Sequence, residues 1–333
     1  MLKKSYNYPL LEGFIKLTHL SWYAVTIIVA VVLLLFLILV AYLDGLFTDG
    51  IDWSFWRLGL QPSIIVYIFL IYPFIQRLWN RALQSLRLLL PQPEQLEIMQ
   101  KITSYNRLWE LIAFLLGAVF AIALSQPWNW VMKWTDVYSL VTSIFMFGLL
   151  GLLIYGGFAG TIRLAQLNRQ YLKLDIFDTG LLIPVARWGL SVSLAFVGGI
   201  SLSVVFQPFE HLREVSNIIV YSILVCVTVL LFFTSMWSTH SAMASAKRRE
   251  LTVVRENLTE SRRRLKEQAT QGTKGGINRL YSAVAVWSIY EQQVQGLPTW
   301  PFNAGIIGRL IASAIVPAAI YIIKIFSGLR LGV

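Results

Sequence analysis

The sequence predicts an all-α integral membrane protein, built as a bundle of seven membrane-spanning helices. Composition is the first reason: 56% of the 333 residues are hydrophobic and only 14% are charged, whereas soluble domains carry about 25% charged residues. The second reason is that the apolar residues are gathered in long runs, as a bilayer core requires. This composition excludes an ordinary water-soluble enzyme, and the 14% aromatic content excludes a disordered chain.

Seven apolar runs are candidates for membrane spans, because a helix needs about 20 apolar residues to cross a bilayer. They are, in chain order, Trp22–Leu43, Leu60–Ile75, Leu108–Trp128, Val137–Phe158, Trp188–Phe206, Asn217–Trp237 and Ile306–Phe326. The second run is the shortest and has Pro73 near its end. Since proline interrupts helical hydrogen bonding, we expect this span to be kinked or partly re-entrant.

The distribution of basic residues predicts the orientation of the bundle. Twenty-three of the 28 Lys and Arg residues lie before span one, between spans two and three, between four and five, or between six and seven, when Arg309 in the first turn of span seven is counted with the last of these segments. The alternate segments hold the other five, with Lys324 near the end of span seven counted among them. Because cytoplasmic loops are enriched in Lys and Arg, most of the net charge of +11 is explained by basic residues on the cytoplasmic side. It predicts a cytoplasmic N-terminus and an outside C-terminus, in the plasma membrane or inner membrane of the cell.

The longest segment outside the spans, residues 238–305, is predicted to be a helical cytoplasmic insertion. It separates a bundle of residues 1–237 from the seventh span and a short outer tail at 306–333. Residues 241–270 form a charged helix with apolar positions at three-, four- and seven-residue steps, and Ile277–Gln295 is amphipathic. The apolar residues concerned are Leu251, Val254, Leu258, Leu265, Leu280, Val284 and Trp287. One interpretation is a coiled coil or stalk that presents them to a cytoplasmic protein partner, and the other is packing within the protein itself.

Small residues at four-residue spacing form a candidate helix-packing face. Span four has Gly156 and Gly160, and span five has Ala195, Gly199 and Ser203. Small side chains let helix backbones approach closely, which holds helices together in lipid. We predict that these residues pack the helices of one chain against each other. The alternative is that they join copies of the chain into a homo-oligomer or line a pore.

The patterns of residues that support catalysis or metal binding are missing from the sequence. The histidines His19, His211 and His240 are far apart, and Cys226 is the one cysteine, so no metal-ligand spacing exists. Phosphate-binding and nucleophile motifs are missing as well. We therefore predict that the chain is not an enzyme and has no catalytic residues, no metal and no cofactor.

Charged residues in two places bear on nucleic-acid binding and on ion transport. The basic cluster at residues 247–266 does not predict nucleic-acid binding, because glutamates such as Glu250 and Glu260 are interleaved with it.

Charged groups inside a membrane mark ion or proton paths. Glu110 and Lys324 come closest to the interior, and both lie near span ends, which argues against a proton-coupled transporter.

Two functions remain in agreement with the sequence. The first is a membrane scaffold or signalling component, without catalysis, that presents its helical cytoplasmic loop to a partner, because almost all of its mass outside the membrane lies on that side. The second is an oligomeric channel or transporter for a small or apolar solute, because spans four and five carry small-residue faces. A continuous polar path through the bundle would favour the second function over the first.

Overall fold

The fold is entirely helical in the part of the chain that the structure, a computed structural model, describes. That part comprises residues 9–47, 58–88, 106–129, 133–170, 183–207, 214–270, 277–299 and 308. Its α-helices are α1 (Leu10–Leu17), α2 (Trp22–Leu43), α3 (Leu60–Leu88), α4 (Arg107–Ser125), α5 (Trp134–Gln170), α6 (Ile183–Phe206), α7 (Val215–Thr270) and α8 (Ile277–Gly296). A 3-10 turn, Pro127–Asn129, follows α4. The all-α prediction is confirmed for these residues.

Six of these helices, α2 to α7, are long and apolar enough to cross a membrane. Each of the first six predicted spans falls on one of them, and α2 has the bounds that the sequence predicts. The predicted seventh span, Ile306–Phe326, lies outside the described residues except for Gly308. The chain therefore has the helices of a multi-pass integral membrane protein.

Polar residues at the ends of the spans determine where helices begin and end. The Ser21 hydroxyl accepts the Ala24 N–H at 3.3 Å, and the Asn106 side chain accepts the Leu108 N–H at 3.1 Å. Each residue thereby caps the first turn of the helix that follows it. Gln126, in the left-handed conformation with a φ of 45°, ends α4. Between such ends the backbone groups must bond within the helix, because lipid offers them no partner.

Helix α5 lies at the centre of the bundle, where it packs against α2, α3, α4 and α7, while α6 packs against α3 and α7. The C-terminal ends of α2 and α6 meet the N-terminal ends of α3, α5 and α7. Hydrogen bonds from Thr135 to Asp44 and from Gln207 to Asn217 join these ends. We call this the Asp44 end of the bundle. The opposite end is called the Trp79 end, after Trp79 in α3.

The outer surface of the bundle is apolar. Ile27 and Leu35 of α2 are 63% and 59% exposed, and Leu116 of α4 and Val225 of α7 are 65% and 51% exposed. Soluble monomers rarely expose continuous apolar patches of this kind. Helices α2, α4 and α7 therefore present the surface that lipid would cover.

The prediction of a short second span is wrong, since α3 continues through Pro73 for 29 residues in all and is long enough to cross a membrane. The kink at Pro73 stays a prediction. Proline lacks the N–H that would bond to the Phe69 carbonyl four residues earlier. The indole N–H of Trp22 donates to that carbonyl instead, at 2.5 Å. The Trp22 ring also stacks on Tyr72, with 5.0 Å between ring centroids. A residue of α2 thus supplies the hydrogen bond that proline removes from α3.

Replacing Trp22 with Phe is expected to destabilise the α2–α3 pair. The variant keeps an aromatic ring beside Tyr72 but leaves the Phe69 carbonyl unpaired, which costs about 1–3 kcal/mol in an apolar environment. Trp109→Phe is the control, because Trp109 is 57% exposed. Reversible unfolding in mixed detergent micelles measures the free energy of unfolding. Equal stabilities of the two variants would contradict this role of Trp22.

Helix α7 continues past its apolar run to Thr270 and pairs with α8. Ala246 and Val294 belong to one buried cluster between the two helices, and Arg255 forms an ion pair with Glu291 at 2.9 Å. We call this pair the hairpin, residues 238–270 and 277–299. It supplies the charged and amphipathic helices that the sequence predicts for this segment.

Candidate functional site: a cavity along the bundle

A cavity of about 810 Å³ lies between α3, α5, α6 and α7. Its lining extends along α3 from Leu60 to Trp79 and along α5 from Thr135 to Gly160. The distance from Leu60 to Trp79 is roughly 28 Å at about 1.5 Å per helical residue, and the hydrocarbon core of a bilayer is about 30 Å thick. The cavity therefore extends over nearly the full depth of a membrane.

The cavity wall is rich in polar side chains at the Asp44 end. The Gln61 amide nitrogen donates to the hydroxyl oxygens of Ser139 and Ser143, at 3.3 and 3.4 Å, and so joins the first turn of α3 to α5. The Gln61 Oε1 atom is buried and has no hydrogen-bond partner in the described part of the chain. Further polar lining residues at this end are Ser125, Thr135, Ser203, Gln207, Ser216 and Asn217. The Oε1 atom of Gln61 is shielded from the cavity, so the polar surface that a solute would meet at this end comes from the other side chains of the wall.

Helices α3 and α6 approach closely about a third of the way along the cavity from the Asp44 end. The Tyr67 hydroxyl donates to the Ala195 carbonyl at 2.8 Å, and Gly198 leaves room for that hydroxyl. Gly199 lines the cavity, and a Cβ added there would meet only the Tyr67 ring, at 3.6 Å. A side chain at Gly199 would therefore begin in free space and extend into the cavity between the Asp44 end and Gly156.

Aromatic rings and glycines line the Trp79 end. Trp79 of α3 and Trp188 of α6 are buried, with ring centroids 5.0 Å apart. Gly160 of α5 lies against both rings, because an added Cβ would meet Trp188 at 2.5 Å and Trp79 at 3.3 Å. Gly156, one turn earlier, has no atom within 4 Å of its Cβ position. The cavity is thus open at Gly156 and narrows at Gly160.

Helix α1 forms part of the cavity wall at the Trp79 end. The backbone N–H of Leu10 donates to Glu110 Oε2 at 2.8 Å, and Ile15 is buried in the bundle core. Glu110 is only 5% exposed, although it lies in the first turn of α4. Pro9, Leu10 and Leu11 belong to the cavity lining. Glu110 therefore holds the start of α1 against the cavity.

Asp44 plays the matching role at the other end. Its carboxylate accepts the backbone N–H groups of Thr135 at 2.7 Å and Trp134 at 3.3 Å, and so caps α5 from the end of α2. Partial burial acts to raise the pKa of Asp44, but the hydrogen bonds from Thr135 and Trp134 and the charge of Lys133 outweigh it. The pKa of Asp44 therefore lies below its ordinary value of 3.8.

Replacing Asp44 with Ala is expected to lower the free energy of unfolding by about 1 kcal/mol at pH 7, as loss of a helix cap does. Because the folded pKa of Asp44 is depressed, the carboxylate's contribution is fully present above about pH 4 and is lost as the pH falls through that folded pKa. Thermal unfolding of wild type and Asp44→Ala should therefore differ most at pH 7, and the difference should shrink in acid, where the neutral carboxyl keeps only an uncharged acceptor oxygen. Asp44→Asn, which keeps an acceptor oxygen, should lie between them. A difference that persists unchanged in acid would contradict the assignment.

The charged residues of the cavity lining are mostly acidic. Asp44, Asp136 and Glu214 lie with Lys133 at the Asp44 end, and Glu110 lies at the Trp79 end. The charges of Arg107 and Arg163 act on Glu110, whereas the three carboxylates at the Asp44 end lie with one ammonium group among the described lining residues. The Asp44 end of the cavity is therefore acidic although the chain as a whole carries +11, which favours positive charge at that end.

The small residues of the predicted helix-packing face all lie in the cavity wall. They are Gly156, Gly160, Ala195, Gly199 and Ser203. Gly160 also packs against the neighbouring tryptophan rings, whereas Gly156 faces open space. Residues whose spacing predicts helix packing therefore also form one wall of the cavity. The homo-oligomer stays a prediction.

The predicted partner face lies largely between the two helices of the hairpin. Val254 and Leu258 are buried, with 0% and 4% of their surface exposed. Half-buried residues of the same face are Leu251, Leu265, Leu280, Val284 and Trp287. The more exposed apolar residues of the hairpin are Val253, Tyr281, Val286 and Ile289. A partner would reach this second set without separating α7 from α8.

Sequence reasoning missed the residues that make the cavity polar. Ser139 and Ser143 lie in an otherwise apolar run, and Asp44 and Glu214 lie in short connections between spans. The one available signal was the four-residue step between Ser139 and Ser143, which places both on one helix face. Their connection to Gln61 depends on which helices are neighbours, and no local pattern shows this.

Groups of three or more His, Cys, Asp or Glu residues suited to a metal ion do not occur within the described ranges. Comparisons with protein families, with curated proteins and with solved structures find no match to this chain.

Proposed function

We propose that this chain is a membrane channel or transporter that passes a small solute through the cavity between α3, α5, α6 and α7. The observation that carries the proposal is the depth of the cavity, roughly 28 Å along α3, with polar groups at one end and aromatic rings at the other. Its volume of about 810 Å³ is in the range of about 300–1,000 Å³ that is typical of ligand pockets. Catalysis is not part of the proposed function.

The proposal includes a topology of seven spans, with Ile306–Phe326 as the seventh, a cytoplasmic N-terminus and an outside C-terminus. The Asp44 end then faces outwards, and the Trp79 end and the hairpin, as a helical insertion, face the cytoplasm across the plasma or inner membrane. Arg77, Arg107 and Arg163 support this orientation, because they lie toward the Trp79 end of α3, α4 and α5 and basic residues accumulate on the cytoplasmic side.

Solute exchange in proteoliposomes tests the proposal. The purified chain is reconstituted, and the release of entrapped choline, glycerol and lactate is compared with release from protein-free liposomes. We expect at least one of the three to be released faster when the chain is present. Gly199→Leu should slow that release about tenfold, which corresponds to about 1.4 kcal/mol on the barrier to passage, because its side chain fills the cavity beside Tyr67.

Ala123→Leu is the matched control for this experiment. Ala123 is exposed on α4, outside the cavity lining, so the variant adds the same side chain to the lipid-facing surface and should release solute as the wild type does. Release at the protein-free rate for all three solutes would contradict the proposal, as would equal slowing by both variants.

The hairpin favours a second function, that of a scaffold or signalling component with a cytoplasmic protein partner. Tyr281, Val286 and Ile289 of α8 are 69%, 63% and 58% exposed. Exposed apolar groups outside a membrane often mark interaction sites. A solute path and a partner surface occupy different parts of the chain, so one protein can have both.

Capture of partners from native membranes tests this second function. The full chain and the double variant Val286→Asp/Ile289→Asp are purified under the same conditions, with Glu256→Gln as a control on the opposite helix. We expect a protein partner to be lost only from the double variant. An identical set of captured proteins for all three chains would contradict a partner surface on α8.

A further inference from the structure

We propose that the solute of the cavity is an organic cation with an apolar body, of the class of lipophilic ammonium and phosphonium ions. This inference rests on the proposed function and specifies its substrate class. The charges and the aromatic rings of the cavity wall each support it.

The charged side chains at the Asp44 end favour a solute of positive charge. Asp44 caps α5 and Glu214 accepts a hydrogen bond from the Asn217 side chain at 3.3 Å, and both line the cavity together with Asp136 and Lys133. A cation entering here meets more negative than positive charge, while an anion would be repelled by the same groups. Since the whole chain carries +11, its overall charge cannot explain an acidic cavity.

The deeper part of the cavity suits an apolar body. Aliphatic and aromatic side chains form its wall from mid-depth to the Trp79 end, among them Leu149, Leu153, Phe147, Phe196, Trp79 and Trp188. Apolar surface binds the hydrocarbon part of a solute, and the faces of tryptophan rings attract cations. A small hydrated metal cation would gain nothing from this wall, whereas an organic cation matches it along its length.

Tetraphenylphosphonium and tetraphenylborate test the proposal, because these ions are similar in size and opposite in charge. Binding of each to the full chain in lipid nanodiscs is measured by equilibrium dialysis, with binding to empty nanodiscs subtracted. We expect saturable binding of tetraphenylphosphonium, at least about tenfold tighter than that of tetraphenylborate. Occupancy by tetraphenylphosphonium should also slow the modification of Gly156→Cys by a thiol reagent.

Charge-neutral variants identify the groups responsible. Asp136→Asn/Glu214→Gln should weaken tetraphenylphosphonium binding about tenfold through loss of two nearby charges, whereas Glu256→Gln, on the exposed surface of α7 in the hairpin, should leave it unchanged. Thermal unfolding verifies that each variant is folded. If the double variant is not folded, the single variant Asp136→Asn is used in its place. Equal binding by the wild type and the folded variants would overturn the assignment.

Two other outcomes would also overturn the inference. One is equal or tighter binding of tetraphenylborate, and the other is a co-purified lipid that fills the cavity and that tetraphenylphosphonium does not displace. Solute release that remains sensitive to Gly199→Leu would then show that the proposed function stands with a different substrate class. Loss of that release as well would show that the proposed function has failed.

Discussion

Gly117→Ala is expected to cause a large loss of stability, because it forces two helices of the bundle apart. A Cβ at Gly117 would overlap the Phe147 carbonyl oxygen of α5, and Gly151 lies equally close to the Ala113 carbonyl of α4. These neighbours are backbone atoms, so the two helices must separate to admit a methyl group. Overpacking of this kind costs about 1–3 kcal/mol, and the separation also weakens the close packing on which helix association in lipid depends.

Gly156→Ala is the matched control, because Gly156 lies in the central helix α5 and its Cβ position has no atom within 4 Å. Both variants replace a glycine of a membrane span by alanine, so helix propensity changes alike in each. Unfolding in mixed micelles should show a large decrease in stability for Gly117→Ala and none for Gly156→Ala. Similar stabilities would mean that α4 and α5 do not approach as the structure has them.

Glu110→Ala is expected to release α1 from the bundle. The variant leaves the Leu10 N–H without its acceptor, and a hydrogen bond to a charged group contributes about 1.5–3 kcal/mol. Helix α1 has only eight residues, too few to be stable alone in water. Its order therefore depends on this bond and on burial of Ile15.

Hydrogen exchange of α1 measures this effect. Residues 10–17 should lose protection in Glu110→Ala, while the amides of α4 and α5 stay protected. Glu110→Gln keeps a side-chain oxygen and should retain most of the protection of α1. Protection of α1 that is unchanged in Glu110→Ala would show that Glu110 does not hold this helix.

The positions of the spans could be predicted from the sequence because the bilayer imposes them. A helix such as Trp22–Leu43 must be apolar over its whole crossing length, and so its bounds follow from composition alone. Pro73 shows where this reasoning fails, since its effect on α3 depends on a hydrogen bond from Trp22 to the Phe69 carbonyl. A proline of this kind disrupts a helix only when no neighbouring helix supplies the missing donor.

The cavity could be predicted only in part, because its wall combines residues from four helices. The spacing of Gly156 and Gly160, and of Ala195 and Gly199, identifies the faces of two of them. Whether a small residue admits a neighbouring side chain or leaves empty space depends on that neighbour: Trp188 lies against Gly160, while nothing lies within 4 Å of the Cβ position of Gly156. The sequence pattern of a single helix cannot show whether a small residue contacts a neighbouring side chain or faces empty space.

The hairpin was predicted more completely, because the contacts of an amphipathic helix follow from its own periodicity. Leu280, Val284 and Trp287 lie at three- and four-residue steps that continue to Val294, which is fully buried. The ion pair of Arg255 with Glu291 could not be predicted, because it depends on the register between α7 and α8.

Passage of a membrane-impermeant thiol reagent along the cavity tests the central claim most directly. Gly156→Cys is introduced into a chain in which Cys226→Ser removes the exposed native thiol, and the reagent is applied only at the Asp44 end. Continuity of the cavity predicts that the new cysteine is modified, and that adding Gly199→Leu, which lies between the Asp44 end and Gly156, slows the reaction about tenfold or more. No modification from that end, or the same rate with and without Gly199→Leu, would contradict a solute path through this bundle.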